Sequence, residues 1–202
     1  MSDTLNILHL RKEMFHVDSV EYNESLFREQ NIKKQLLEQG ITDYKVWDGI
    51  MVKNMPFLGI NLAMKMIVKD AKVRGLKSVV LAEDDINFSC PTSWQHFLET
   101  QPQDYDLFMG CPFQCEIDES NMVTFGFSGM TILRVHERFY DTFLSMKEMN
   151  NIDRELGRFA YKYKYIASNP FIAEQLGGYS YHQKKHIPDY NHLLDGRRLY
   201  GR

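Results

Sequence analysis

The run Ser78-Val79-Val80-Leu81-Ala82 leads without a break into Glu83-Asp84-Asp85. A continuous apolar strand of this kind is buried on both faces, which requires helices packed on each side of a parallel or mixed sheet. In open α/β sheets, ligands bind beyond the carboxyl ends of the strands. Three adjacent carboxylates placed there repel one another. A hard divalent cation, manganese or magnesium, suits their oxygens and would compensate them. Glu83 and Asp85, one residue apart, would share a side at a strand end. The plainer alternative is a solvated acidic turn that caps the next segment.

The flanking chain supports the sheet. Asn6 to Leu10 reads as a first strand. Glu21 to Gln39 reads as a helix, with Leu26, Ile32, Leu36 and Leu37 near helical spacing, Ser19 or Asn23 as its cap and Gly40 as its stop. Tyr44 to Trp47 is a second strand closed by Asp48-Gly49. Pro56 opens a second helix to about Arg74, with Leu58, Leu62, Met66 and Val73 as a core stripe and Gly75 as its stop. The order βαβαβ belongs to a parallel sheet wrapped by helices. Beyond Asp85 the reading is a helix at 91–101, a strand at 106–110, an irregular loop at 111–120 and strands at 122–127 and 129–134. Helices at 135–146 and 152–161 follow, then a strand at 164–167 and irregular backbone from Phe171.

A chain of 202 residues, 44% hydrophobic, can bury a sizeable core as one domain over 1–202. No run is long and apolar enough for a membrane span, and the N-terminus lacks the pattern of a secretory signal. Three cysteines, Cys90, Cys111 and Cys115, fit a reducing, cytoplasmic compartment, and without a second pair Cys111 and Cys115 read as ordinary thiols rather than a zinc site. A net charge of -3 argues against a nucleic-acid binder. From His182 onward five bases and two acids make +3, leaving -6 for the rest of a chain whose net charge is -3. The basic tail, residues 181–202, is either a solvated end or a lid over an anionic ligand.

The order of several pieces resembles the family 25 glycosyltransferases, the lipopolysaccharide-type and collagen-type sugar transferases. They are Ile7-Leu8-His9-Leu10-Arg11, the helix bearing Arg28, Val46-Trp47-Asp48-Gly49, the helix from Gly59 and Val80-Leu81-Ala82-Glu83-Asp84-Asp85. Weaker pieces follow: Phe127-Ser128-Gly129-Met130, Ile152-Asp153-Arg154-Glu155-Leu156, Glu174-Gln175 and Ser180. Two features depart from the family pattern. Ala63-Met64 stands where a Ser-His pair is common, and Tyr181-His182 follows the late serine where an acid is frequent. The resemblance implies a GT-A fold with a mixed, mostly parallel sheet flanked by helices. It also implies a divalent metal, a nucleotide-diphospho-sugar donor such as a UDP-sugar, a glycan or lipid-linked glycan acceptor, and inversion at the sugar.

Glycosyl transfer needs the leaving diphosphate neutralised, the acceptor hydroxyl deprotonated and the donor held in line. Asp85 is the expected direct metal ligand, with Glu83 beside it. Glu83 or Asp84 would face the ribose or the donor sugar. The resemblance favours a third ligand late in the chain, where His182, His186 and Asp189 are candidates and His182 is preferred. Asp153 is the favoured base and Glu155 the runner-up, although an acid at a helix start also serves as a cap. Leu10, Arg11 and Asp48 lie at strand ends where a doubly wound sheet places a nucleotide, and Asp48 can equally make the turn with Gly49. Lys65, Arg197 and Arg198 could reach phosphate, or be surface bases. Two other classes stay open: a non-catalytic nucleotide-sugar-binding relative, and a metal-dependent nucleotidyltransferase or phosphate-ester hydrolase.

Overall fold

A computed structural model describes residues 3–194 and 196–202. Met1, Ser2 and Asp195, which entered the readings of the N-terminus and the tail charge, lie outside the described residues. Strands β1 (Leu5–His9), β2 (Tyr44–Asp48) and β3 (Ser78–Glu83) are linked by helices α1 (Val20–Glu38) and α2 (Pro56–Val73). Then come β4 (Ile86–Phe88), α3 (Ser93–Glu99), β5 (Leu107–Met109), β6 (Glu116–Ile117), β7 (Val123–Phe125), β8 (Ile132–His136), α4 (Tyr140–Ser145) and α5 (Ile152–Gly157). The chain closes with β9 (Tyr165–Ala167), β10 (Ala173–Gln175), β11 (Gly178–Ser180) and β12 (Lys185–Ile187).

Six strands form the main sheet in the order β2-β1-β3-β8-β5-β9. β8 runs antiparallel to both β3 and β5, and the other neighbours pair in parallel. Successive strand residues face opposite sides, and this sorts the core into two. Val79, Leu81, Leu107, Met109, Leu133 and Val135 face the layer of α2, α4 and α5. Leu5, Ile7, Val80, Ala82, Phe108 and Ile132 face the layer of α1 and α3. The sheet is thus covered on both faces, as the apolar run of β3 requires. No helix among the described residues is long and apolar enough to cross a membrane.

The helix signals hold for α1: the Ser19 hydroxyl accepts from Tyr22 N at 3.1 Å, and Gly40 stops the helix at φ 63°. Leu37, expected on the buried face, is 83% exposed. The stripe expected on α2 is on the wrong face. Val73 and Met66 are 79% and 45% exposed, while Ala63, Met64, Ile67, Val68 and Ala71 fill the core. α2 is apolar most of the way round, so its sequence sets no phase.

Later boundaries also move. Val135 and His136 close strand β8 instead of opening a helix, and α5 ends at Gly157, short of Tyr161. The loop after Cys111 contains β6, which forms a hairpin with β7. The segment from Phe171 contains three short strands, β10 paired with β4 and the β11–β12 hairpin. Trp94 is core, and Trp47 anchors an edge by donating from Nε1 to Asn6 Oδ1 at 2.9 Å.

Candidate active site

The three acids part company at the end of β3. Val79 and Leu81 face the α2/α5 layer, and Glu83, next in the alternation, continues on that side. Asp84 and Asp85 lie in the turn after the strand, and both are buried. Asp84 is clamped from the other face. Its carboxylate accepts from Arg28 Nη1 at 2.6 Å and contacts His9 Nδ1 at 2.7 Å. Burial alone would raise its pKa, but the charge of Arg28 and the His9 contact outweigh that and hold it below the usual range.

Arg28 lies on the buried face of α1, one turn before Ile32. It also donates to Glu24 Oε1 at 2.9 Å and to Tyr179 O at 3.4 Å, and its guanidinium lies 5.5 Å from the centre of the Tyr181 ring. Asp84 and Arg28 are therefore a structural ion pair. The sequence expectation that Asp84 faces ribose or sugar is not what its hydrogen bonds serve.

Asp85 keeps an open valence. One oxygen accepts from Gln175 Nε2 at 2.9 Å and lies 3.3 Å from Arg28 Nη1. The other, Oδ1, is buried with no hydrogen-bond partner among the described residues. Burial raises the Asp85 pKa, against the opposing pull of Arg28. Glu83 is pushed much further, well above the usual carboxylate range, by burial first and then by Asp85, Asp153 and Asp84. A buried carboxylate oxygen without a partner among the described residues, beside a carboxyl that ionises only with difficulty, fits the binding of a divalent cation. Their oxygen donors are those of a magnesium or manganese site. Among the described residues no three His, Cys, Asp or Glu side chains are grouped to hold a metal. A cation at Glu83 and Asp85 would take its other ligands from water and substrate phosphate, as magnesium commonly does.

The pKa direction at Glu83 carries a stability prediction. An acid whose folded pKa lies above its unfolded one favours folding while protonated. That contribution is present at low pH and lost as pH rises from the unfolded value through the raised one. Glu83→Gln keeps the neutral shape. In EDTA its melting temperature should match the parent near about pH 4 and exceed it increasingly above about pH 5. A gap of the same size at both ends would contradict the repulsion described here.

Asp153 reaches the same edge from α5. Asp153 Oδ2 accepts from Gly129 N at 2.8 Å and Oδ1 from Arg154 N at 2.7 Å. Gly129 is two residues before Thr131, whose carbonyl accepts from Glu83 N at 3.2 Å. α5 can sit this close because Gly157 has no side chain: a Cβ there would lie 2.6 Å from Phe127 N. The helix start is fixed by Asn61, buried in α2. Its Oδ1 accepts from Ile152 N at 3.1 Å, and its Nδ2 donates to Glu148 O at 2.8 Å and to Asn150 O. Glu155 is turned away and buried, accepting from Asn150 Nδ2 at 2.8 Å and Arg158 Nη1 at 3.1 Å.

The remaining candidates divide. Leu10 and Arg11 follow β1, and Arg11 pairs with Asp48 at the end of β2, both exposed. Lys65 is taken by Met146 O at 2.6 Å and Glu148 Oε1 at 3.1 Å, in the segment between α4 and α5. His182 is exposed in the β11–β12 turn and joins no metal-holding group among the described residues. Arg197 donates to Cys115 O at 3.0 Å and lies over Phe171, while Arg198 is exposed. The tail is not a loose end. Phe171 N donates to Arg198 O at 3.0 Å, Tyr200 N donates to Phe171 O at 2.7 Å, and Tyr200 stacks on His96.

Sequence reasoning assigned no role to His9, Gln175 or Tyr190. The Tyr190 phenol is raised by burial first and then by Asp85, with Arg28 opposing and Glu83 adding to it. Arg28 was also missed as a site residue. A charged side chain in register with Ile32 and Leu36 was the available signal.

The fold is similar to solved structures. One described as a "putative nucleotide-diphospho-sugar transferase" from Desulfovibrio desulfuricans G20 aligns over 83% of this chain and 80% of its own, at 14% identity and a TM-score of 0.50. A glycosyltransferase involved in the glycosylation of the major capsid of PBCV-1 aligns over 83% and 82%, at 10% identity and a TM-score of 0.48. At such identity the first likeness is one of fold alone. No family model and no curated protein matches the chain.

Proposed function

We propose that the chain, as one domain, is a metal-dependent glycosyltransferase of the family 25 kind, acting on a nucleotide-diphospho-sugar. The observation that carries this reading is the meeting of Glu83, Asp85 and Asp153 at the carboxyl edge of the sheet, where burial and mutual repulsion leave Glu83 short of positive charge. A fold similar to that of a structure described as a "putative nucleotide-diphospho-sugar transferase" supports it. Glu83 and Asp85 hold manganese or magnesium. Bound there, the ion neutralises the charge that develops on the departing nucleoside diphosphate. Gln175 and Arg28 engage one oxygen of the Asp85 carboxylate and leave the other, buried, without a hydrogen-bond partner among the described residues. Leu10, Arg11 and Asp48 border the nucleotide, in this reading a uridine. Asp153 takes the proton from the acceptor hydroxyl as that oxygen attacks the anomeric carbon, giving inversion. The acceptor is a glycan, and the compartment is the reducing cytoplasm.

A panel of nucleotide-sugars with manganese tests the reading by its products. A glycosyltransferase releases nucleoside diphosphate and transfers or hydrolyses the sugar. Cleavage at the α-phosphate would instead identify a nucleotidyltransferase. Stabilisation by donor without turnover would identify a binding relative.

A further inference from the structure

A cleft of about 280 Å³ opens beside Asp153, between the segment around β7 and helix α5. Its two walls continue into the candidate site. Ser128 precedes Gly129, whose N–H Asp153 accepts, and Arg154 follows Asp153. The exposed wall is mostly apolar, with a few polar groups at its margin. Phe125 lines the cleft and is 70% exposed. Gln114 Oε1 accepts from Ser128 Oγ at 3.0 Å, which orients the amide and leaves its N–H₂ free to donate. The Arg154 guanidinium is exposed and makes no ion pair or hydrogen bond among the described residues. Arg158 is partly used, since one Nη reaches Glu155 at 3.1 Å.

We infer that this cleft is the acceptor subsite and that it takes a carboxylated sugar, of the uronic or sialic acid type. The inference rests on the glycosyltransferase reading for the word acceptor. It rests on the cleft itself for the ligand class. An exposed aromatic face suits the C–H face of a pyranose. The fixed amide suits ring hydroxyls. One unpaired guanidinium, with a second half neutralised by Glu155, matches the single charge of a carboxylate in a bidentate contact. A phosphate monoester, with nearly twice that charge, would leave the cleft underneutralised beside Asp153. The volume admits a short saccharide end and not a folded chain.

The test is calorimetric binding by the full chain of three disaccharides that differ at one position: a glucuronic acid-terminated sugar, its neutral glucose counterpart and the corresponding 6-phosphate. The carboxylated sugar should bind at least roughly tenfold tighter than the neutral one and tighter than the phosphate. Arg154→Gln should abolish that preference while leaving the neutral sugar unaffected, and Phe125→Ala should weaken all three. Both positions are exposed, so melting temperatures should be unchanged, which separates lost binding from lost folding. Equal binding of acidic and neutral sugars, tighter binding of the phosphate, or a preference that survives Arg154→Gln each overturns the inference. Selective binding together with no turnover in the nucleotide-sugar panel would instead sink the transferase reading and leave the ligand class standing.

Discussion

Arg28→Met should destabilise the protein by about 3–5 kcal/mol at neutral pH, the usual loss when one member of a buried ion pair is removed. The methionine keeps most of the packing of the arginine stem. What is lost is the positive charge beside Asp84 and Asp85, both buried and both within reach of the guanidinium. Asp84 would retain only its His9 contact. Denaturant unfolding of Arg28→Met, Asp84→Asn and the double variant isolates this term, because the double variant removes both charges and should recover part of the loss. A loss below about 1 kcal/mol for Arg28→Met would place the pair among screened surface bridges and contradict its burial.

Asp153→Asn should lower transfer by roughly two to four orders of magnitude, the usual contribution of general-base catalysis. Stability should hardly move. Asn at this position still accepts through its carbonyl from either Gly129 N or Arg154 N, and the start of α5 is held separately by Asn61. Donor binding should survive, because Glu83 and Asp85 lie on a different element. A purely structural Asp153 predicts another pattern: Asp153→Ala loses stability, and Asp153→Asn keeps nearly full transfer. Glu155 does not offer a ready substitute, since Asn150 and Arg158 occupy its carboxylate and it is buried. Melting temperature and acceptor-dependent transfer, measured on both variants, distinguish the two roles.

What could be read from the sequence was local. The apolar run of β3, its acidic end, the Ser19 cap and the Gly40 stop each lie within a few residues, where sterics and hydrogen bonding act directly. The face of α2 was not legible, because Leu58, Leu62, Met66 and Val73 look as apolar as Ala63, Met64, Ile67 and Val68. Strand β8 carries a fully buried arginine, Arg134, tied to Ser78 and Asp3. A charge inside a strand hid its continuation through Val135 and His136. Strands β10 to β12 have three residues each, too few for any period to show.

The candidate site was legible to the same degree. Glu83, Asp85 and Asp153 could be singled out by type and context. The division of labour among neighbouring acids could not, because it depends on partners remote in the chain. Arg28 lies 56 residues from Asp84, and Gln175 lies 90 residues from Asp85. Those partners turn Asp84 into a structural anion and leave Asp85 with an oxygen to spare. The same logic explains His182 and Lys65. Their chemistry suited a phosphate or metal site, but the β11–β12 turn leaves one exposed and Glu148 and Met146 O occupy the other.

In the proposed function, Glu83 and Asp85 anchor a cation through which the nucleoside diphosphate binds. Calorimetry of uridine diphosphate binding tests it most directly, with manganese or with EDTA, on the parent and on Asp85→Asn. The parent should bind only with manganese, and the variant should lose at least about tenfold in affinity at an unchanged melting temperature. Equal affinity with manganese and with EDTA, or equal affinity in Asp85→Asn, would contradict it.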